Sequence, residues 1–157
     1  MWEQVQRFRA LAPEARNIFF RAAVLLPAIS FSLRLRGFGA TQQSLQNLSV
    51  PSNAGKYPDE DVANGDRVEM AVRMVNAAAR YGWGRPTCLE KSLMLWSLLR
   101  RQGTASSVRI GARKVDGKFE AHAWVERDGV ALNEPGDEHR HYATFDAAFP
   151  LQSSESP

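Results

Sequence analysis

A lone cysteine and a later histidine are the residues of this chain whose types and spacing could do chemistry. Cys88 is the only cysteine among 157 residues, and His122 follows it in the second half of the sequence. A thiolate can attack a carbonyl carbon while an imidazole accepts and returns the proton, so the two residues predict Cys-His nucleophilic catalysis. Cys88 could equally be an ordinary cysteine of the core, because this residue type is often buried.

The residues around Cys88 predict that it begins a buried helix. Thr87 is a suitable N-cap, Glu90 completes a T-x-x-E capping box, and Gly103 is typical of a residue that ends a helix. The sequence between them is apolar on nearly every side, which predicts burial. At the first helical position, unpaired amides and the helix dipole favour a thiolate. The amide of Cys88 is an expected donor to an oxyanion.

Beyond that helix, an apolar alternation with a period of two predicts an antiparallel meander. The elements are strands at Val108–Ala112 and Phe119–Glu126 with a turn at Lys114–Gly117, then an Asp128-Gly129 hairpin turn and a return strand at Val130–Asn133. His122 and Trp124 share one face of the second strand. If that face lies over the start of the cysteine helix, the imidazole meets the thiol and the indole shields both. The predicted fold class is α+β.

The imidazole needs an acceptor that fixes its orientation, and the return strand offers two. With a two-residue turn, Trp124 faces Asn133 and Ala123 faces Glu134, which puts Asn133 on the histidine face. A bulge or an odd-length loop would put Glu134 there instead. The sequence leaves both residues open as the orienting member.

The front of the chain is basic and apolar. The net charge is +3, while residues 1–50 hold six arginines against two glutamates. Such a surface suits an acidic protein, a nucleic acid or an anionic membrane, or it is a solvated helix face. Residues 18–33 are mostly apolar, but Arg21 interrupts them and Pro27 breaks them. We therefore predict two short helices meeting near Pro27 and no membrane span.

Composition suggests how the chain is divided. We predict an N-terminal helical region at 1–50 that packs on the core or docks a partner, a linker or surface loop at 51–60, and a catalytic core at 61–157. Asp66 and Glu69 form the expected cap of the first core helix. A single cysteine excludes an internal disulfide and favours a reducing, cytoplasmic location. The histidines within Asp137–His141 are poorly spaced for zinc, so we expect a solvated loop and no metal.

Four motifs in this order resemble the transglutaminase-like leader peptidases of lasso-peptide biosynthesis. They are R-P-T-C-L-E-K-S-L at 85–93, L-L-R-R-Q-G at 98–103, V-R-I-G at 108–111 and A-H-A-W-V-E at 121–126. The likeness covers about residues 60–150. It implies a papain-like cysteine protease core in which Cys88 is the nucleophile and His122 the base. Glu134 falls where that family usually has an aspartate acid.

The resemblance also implies a function and partners. The protein would remove the leader from a ribosomally made precursor peptide, with the help of a small leader-recognition protein, and the freed core would pass to a macrolactam-forming cyclase. Neither a cofactor nor a nucleic acid is expected. Because so small a catalyst gains from a partner that holds its substrate, we expect residues near Phe19–Leu33 to dock that partner. A non-catalytic peptide-binding module and acyl transfer to an amine remain as alternatives.

Overall fold

Three α-helices precede a four-stranded antiparallel sheet in the computed structural model, which describes residues 11–49, 61–134 and 136–145. The helices are α1 (Pro13–Leu48), α2 (Asp61–Tyr81) and α3 (Cys88–Arg101). The strands are β1 (Ser107–Val115), β2 (Lys118–Arg127), β3 (Val130–Ala131) and β4 (Ala143–Thr144), with a 3-10 helix at Glu138–His141 before β4. Helices grouped against an antiparallel sheet make the fold α+β, which confirms the prediction.

Helix α1 continues through Pro27 and bends at Gly37. The backbone of Gly37 has φ 76° and ψ −179°, a conformation that glycine adopts at little cost because it lacks a Cβ atom. The Thr41 hydroxyl donates to the Gly37 carbonyl and lies 2.8 Å from the Ser32 hydroxyl, so side chains hold the bend from both sides. The predicted junction at Pro27 is therefore wrong. Proline costs the helix one hydrogen bond there without ending it.

One face of α1 packs into the core while another stays exposed. Ala22, Leu26 and Ile29 are at most 3% exposed. Opposite them runs an apolar stripe in which every side chain is more than half exposed: Phe20, Val24, Phe31 and Leu35. By length and composition α1 is long and apolar enough to cross a membrane, a property that core helices of soluble proteins share.

Helix α3 is the centre of the core and contacts α1, α2 and β2. The Thr87 amide donates to the Glu90 carboxylate at 2.6 Å, and the Glu90 amide donates to the Thr87 hydroxyl at 3.3 Å. The predicted capping box is thereby confirmed. Residues 92–99 are buried without exception, and Gly103, with φ 78°, follows the end of the helix as predicted.

Helix α2 begins earlier than its sequence pattern indicates. It starts at Asp61, which places Asp66 and Glu69 inside it. The predicted cap at Asp66 is therefore wrong. Inside a helix the backbone amides already bond to carbonyls one turn earlier, so no cap is needed there. The predicted linker or loop at 51–60 lies outside the described residues, so the division of the chain there stays a prediction.

Two Asp-Gly turns set the sheet, whose strand order is β3-β2-β1-β4. Asp116 and Gly117 join β1 to β2, and Asp128 and Gly129 join β2 to β3, with φ between 49° and 82° at all four residues. Positive φ at both central positions gives the turn type that matches strand twist. Both predicted hairpins are confirmed. After β3 the chain crosses the sheet and returns as β4 beside β1.

Candidate active site

Cys88 is the first residue of α3, and its side chain is partly exposed. The amides of Glu90 and Lys91 already have acceptors in the cap. The Glu90 amide donates to the Thr87 hydroxyl, and the Lys91 amide donates to the Thr87 carbonyl at 3.1 Å. The amides of the first helical residues have no carbonyl one turn earlier in the helix to receive them. These amides can therefore donate to an oxyanion that forms beside Cys88. The capping box directs the Glu90 carboxylate to the Thr87 amide.

His122 lies on β2 and is hydrogen-bonded to Glu134. Its Nε2 atom is 2.7 Å from Glu134 Oε1, and the two side chains are 20% and 12% exposed. When Nε2–H donates to the carboxylate, Nδ1 is left as the ring nitrogen that can accept a proton. A carboxylate in this place also stabilises the imidazolium that forms when the histidine acts as a base. The arrangement is that of an oriented general base.

Asn133 takes a different place from the one that a regular hairpin would give it. Its Oδ1 accepts from the Val125 amide at 2.7 Å, and its Nδ2 donates to Ser92 Oγ at 3.2 Å. The side chain therefore connects β2 to α3. Of the two candidate orienting residues, the structure brings Glu134 to the imidazole and holds Asn133 away from it.

The end of β3 explains this exchange. Residues 126–127 and 130–131 pair in the register of a two-residue turn, and the Leu132 amide still donates to the Val125 carbonyl at 2.8 Å. The next ladder bond is replaced, because the Val125 amide donates to a side chain, Asn133 Oδ1. The regular strand ends there, and Glu134, the residue after Asn133, turns towards His122. This break in the ladder has the effect expected of a bulge, because it places Glu134 on the histidine face.

Ser92 connects the start of α3 with the histidine strand. It is fully buried, and its hydroxyl donates to the Ala123 carbonyl at 3.0 Å. Ser92 lies one helical turn after Cys88 on the same side of α3, and Ala123 is adjacent to His122 in the chain. Ser92 was not among the predicted site residues. Its signal was a serine in the middle of an otherwise apolar helix, since a buried hydroxyl needs a partner.

The two faces of β2 have different coverings. Val125 belongs to the core that α3 forms. On the other face, the His122 ring lies 6.1 Å from the Trp124 ring and 5.2 Å from the Tyr142 ring, and His139 lies 5.8 Å from Trp124. The histidine face is thus covered by residues 139–142, and α3 reaches the strand through the backbone at Ala123. The approach of His122 to Cys88 at the start of α3 stays a prediction.

Gly111 makes the close packing around His122 possible. It faces His122 across β1 and β2, and a Cβ atom there would lie 2.8 Å from Tyr142 Cβ and 3.1 Å from Trp124 Cη2. No side chain fits in that space. A glycine inside an alternating strand was the sequence signal for this approach.

The outer side of Tyr142 is held by an arginine. The Arg113 guanidinium lies 4.5 Å from the centre of the Tyr142 ring, and its Nε donates to Glu120 at 2.8 Å. This hydrogen bond to Glu120 raises the pKa of Arg113 above its ordinary value. Glu120, Arg113, Tyr142 and His122 therefore form a continuous row of contacts across the sheet.

Comparison with known proteins identifies the fold. A profile described as the transglutaminase-like superfamily matches residues 25–145, well over half of the chain. No curated protein and no solved structure gives a significant match. The matched region includes Cys88, His122 and Glu134, and it begins within α1 at Leu25.

Proposed function

The chain belongs to the transglutaminase-like superfamily, whose members are typically cysteine-dependent enzymes, and on this premise we propose that it is a cysteine peptidase. The proposed substrate is a ribosomally made lasso-peptide precursor, from which the enzyme removes the leader. The observation that carries the proposal is the 2.7 Å hydrogen bond between His122 and Glu134, which orients an imidazole as a base. The motif resemblance at residues 85–126 supports the choice of substrate.

In the proposed reaction, Cys88 Sγ attacks the carbonyl carbon at the junction of leader and core while His122 Nδ1 takes the thiol proton. The amide of Cys88 stabilises the resulting oxyanion. When the carbon–nitrogen bond breaks, His122 returns the proton to the departing core amine, leaving the leader as a thioester on sulfur. His122 then removes a proton from water, which attacks the thioester and restores the thiol. Glu134 keeps the imidazole oriented and balances its charge in both steps.

Contacts of Ser92 support the meeting of thiol and imidazole. The Ser92 hydroxyl binds the backbone next to His122, and one helical turn, about 5.4 Å along the axis, separates Ser92 from Cys88. A buried hydrogen bond therefore holds α3, one turn after Cys88, against the histidine strand. Because the reaction needs a reduced thiol, we place the enzyme in the reducing cytoplasm.

We assign the leader-recognition partner to a groove between α1 and α3. The groove has a volume of about 490 Å³ and an apolar lining that includes Phe20, Val24 and Leu48. Arg21 and Arg101 also line it. Burial, and then the nearby charge of Arg21, lowers the pKa of Arg101. An apolar segment carrying a carboxylate would cover the side chains and relieve this repulsion.

Cleavage of a precursor peptide tests the proposal. The wild-type chain, its leader-binding partner and the precursor are incubated together, and products are identified by mass spectrometry. We expect two fragments whose masses sum to the precursor plus one water, and we expect none with Cys88→Ala, whose thermal unfolding should match the wild type. Iodoacetamide should label Cys88 faster than it labels free cysteine at about pH 7.

Each other outcome points to a different function. Full activity of Cys88→Ala together with slow labelling would overturn catalysis and favour a module that only binds the peptide. Transfer of the leader to an added amine, in preference to water, would replace hydrolysis with acyl transfer. The macrolactam-forming cyclase is the proposed consumer of the freed core amine, and a core that stays linear when the cyclase is added after cleavage would contradict that order.

A further inference from the structure

A second cleft lies directly beside the start of α3. It has a volume of about 380 Å³ and lies between the middle of α1 and the loop that leads into Cys88. One wall is formed by Phe31 and Arg34, and the other by Trp83 and Arg85. Thr87, the residue before the nucleophile, also lines it. None of these four wall residues belongs to the partner groove between α1 and α3.

The aromatic side chains of this cleft face solvent to an unusual degree. Trp83 is 90% exposed and Phe31 is 66% exposed. Keeping an indole and a phenyl ring in water costs free energy that burial would recover. Adjacent exposed aromatic residues are typical of sites that anchor a binding partner.

The charges of the cleft specify what it can bind. Within the described parts of the chain, neither Arg34 nor Arg85 forms an ion pair. The one acidic side chain that lines the cleft, Glu90, already accepts the Thr87 amide in the capping box. The cleft therefore offers two cations and two aromatic surfaces against one carboxylate, Glu90, whose side chain is buried and bound to the cap. Guanidinium groups bind carboxylates well because both are planar and bidentate.

The position of the cleft points to the substrate as its occupant. A peptide whose carbonyl meets Cys88 extends by about 3.3 Å per residue on either side of the scissile bond. Thr87 is adjacent to the nucleophile in the chain, so a side chain within about four residues of the cleaved bond reaches the cleft. A partner that binds only the distal leader has no such constraint.

We propose that this cleft is a specificity subsite of the peptidase, which receives an aromatic or large aliphatic side chain of the substrate followed by a carboxylate. Trp83 and Phe31 hold the apolar side chain, and Arg34 and Arg85 bind the carboxylate. The inference rests on the proposed peptidase function, since it names the feature of the peptide that this enzyme selects near the cleavage site.

Substituted precursors test the subsite. In each, one dipeptide within four residues of the cleaved bond is replaced by Phe-Asp, Phe-Asn or Phe-Lys, and kcat/KM is measured for each. At one position, Phe-Asp should be cleaved about tenfold faster than Phe-Lys, the difference that two partly exposed ion pairs give. The double variant Arg34→Glu/Arg85→Glu should reverse this preference. Arg16→Glu, on α1 but outside both the cleft and the groove, should preserve it.

Binding measurements keep the subsite separate from the chemistry. Labelled Phe-Asp and Phe-Lys precursors are titrated into Cys88→Ala, with Arg34→Glu/Arg85→Glu/Cys88→Ala and Trp83→Ala/Cys88→Ala as comparisons. A preference for Phe-Asp that the arginine substitutions remove, with weaker binding of both peptides to the Trp83→Ala protein, supports the subsite even if the wild type cleaves nothing, an outcome that would sink only the peptidase. Equal kcat/KM for all dipeptides at every position would overturn the subsite while leaving the peptidase intact. Loss of partner capture or of self-association in Trp83→Ala, together with a Phe-Asp preference that Arg34→Glu/Arg85→Glu leaves unchanged, would assign the cleft to that other occupant and overturn the proposal.

Discussion

The surroundings of His122 and the exposed face of α1 are built on opposite principles. Near His122, Asn133 uses both ends of its amide, Ser92 both donates and accepts, and Glu134 binds the imidazole. On α1, the side chains of Phe20, Val24, Phe31 and Leu35 are more than half exposed. The geometry around the histidine is thus fixed by the chain's own hydrogen bonds, whereas the α1 surface is left for something outside the chain. We infer that chemistry belongs to the first region and recognition to the second.

The largest expected effect comes from Glu134→Gln. Glutamine keeps the size of the side chain but removes the negative charge that stabilises the imidazolium and selects its tautomer. We expect kcat to fall by about 10²–10⁴-fold while the thermal unfolding temperature stays close to that of the wild type. Initial rates of precursor cleavage, measured at saturating peptide, give the first quantity, and circular dichroism gives the second.

Glu126→Gln is the matched control for that variant. Glu126 lies on β2, four residues after His122, and is 21% exposed in its ion pair with Arg109. Its loss should cost less than about 1 kcal/mol and leave kcat within about twofold. Equal losses of activity in the two variants would show that the carboxylate of Glu134 has no special relation to the histidine.

Asn133→Ala should affect stability before it affects chemistry. The change leaves the Val125 amide without its acceptor and removes the donor to Ser92 Oγ, both in a partly buried network. We expect the free energy of unfolding to fall by about 3 kcal/mol, as measured by urea denaturation. A residual kcat close to that of the wild type in the folded fraction would separate this residue from Glu134. A loss of kcat as large as that of Glu134→Gln, without destabilisation, would reverse the two roles.

The sequence predicted the elements whose signals are local. The capping box of Thr87 and Glu90 and the turn at Asp128-Gly129 depend on residues only one to three positions apart, and the structure has both. The choice between Asn133 and Glu134 was different, because it depends on the fully buried Ser92, more than forty positions away. No local pattern carries that information.

Other features were hidden for related reasons. The bend of α1 was expected at Pro27 because proline disfavours helix interiors, yet Gly37 takes the positive φ, and only packing reveals which residue bends. The cover that Tyr142 places over His122 depends on the chain crossing the sheet to form β4. The cleft at Trp83 requires the relative positions of α1 and α3, which a sequence pattern does not give.

Gly111→Ala is expected to disturb the covered face of the histidine. Its Cβ atom would lie 2.8 Å from Tyr142 Cβ and 3.1 Å from the Ala143 carbonyl oxygen, so β4 or Trp124 has to shift. We expect a loss of about 1–3 kcal/mol in the free energy of unfolding and a change in tryptophan fluorescence. Gly39→Ala is the matched control, since its Cβ atom would meet nothing within 4 Å, and alanine should stabilise that helix by up to about 1 kcal/mol. Equal stability of the two variants would contradict the packing described around His122.

The smallest expected effect concerns the partner groove, and it tests the α1 half of the comparison. Val24 and Leu35 are 71% and 67% exposed on the same stripe, but only Val24 lines the groove between α1 and α3. Serine at either position should change the free energy of unfolding by less than about 0.5 kcal/mol, because neither side chain is buried within the chain. A partner that covers the groove would bury Val24, so Val24→Ser should weaken partner binding by about tenfold in calorimetric titration, whereas Leu35→Ser should leave it unchanged. Cleavage without the partner should be equal in the wild type and in both variants, since each substitution is remote from sulfur and imidazole.

Equal weakening of partner binding by Val24→Ser and Leu35→Ser would instead indicate that the whole stripe enters the interface. No weakening by either would move the partner to another surface.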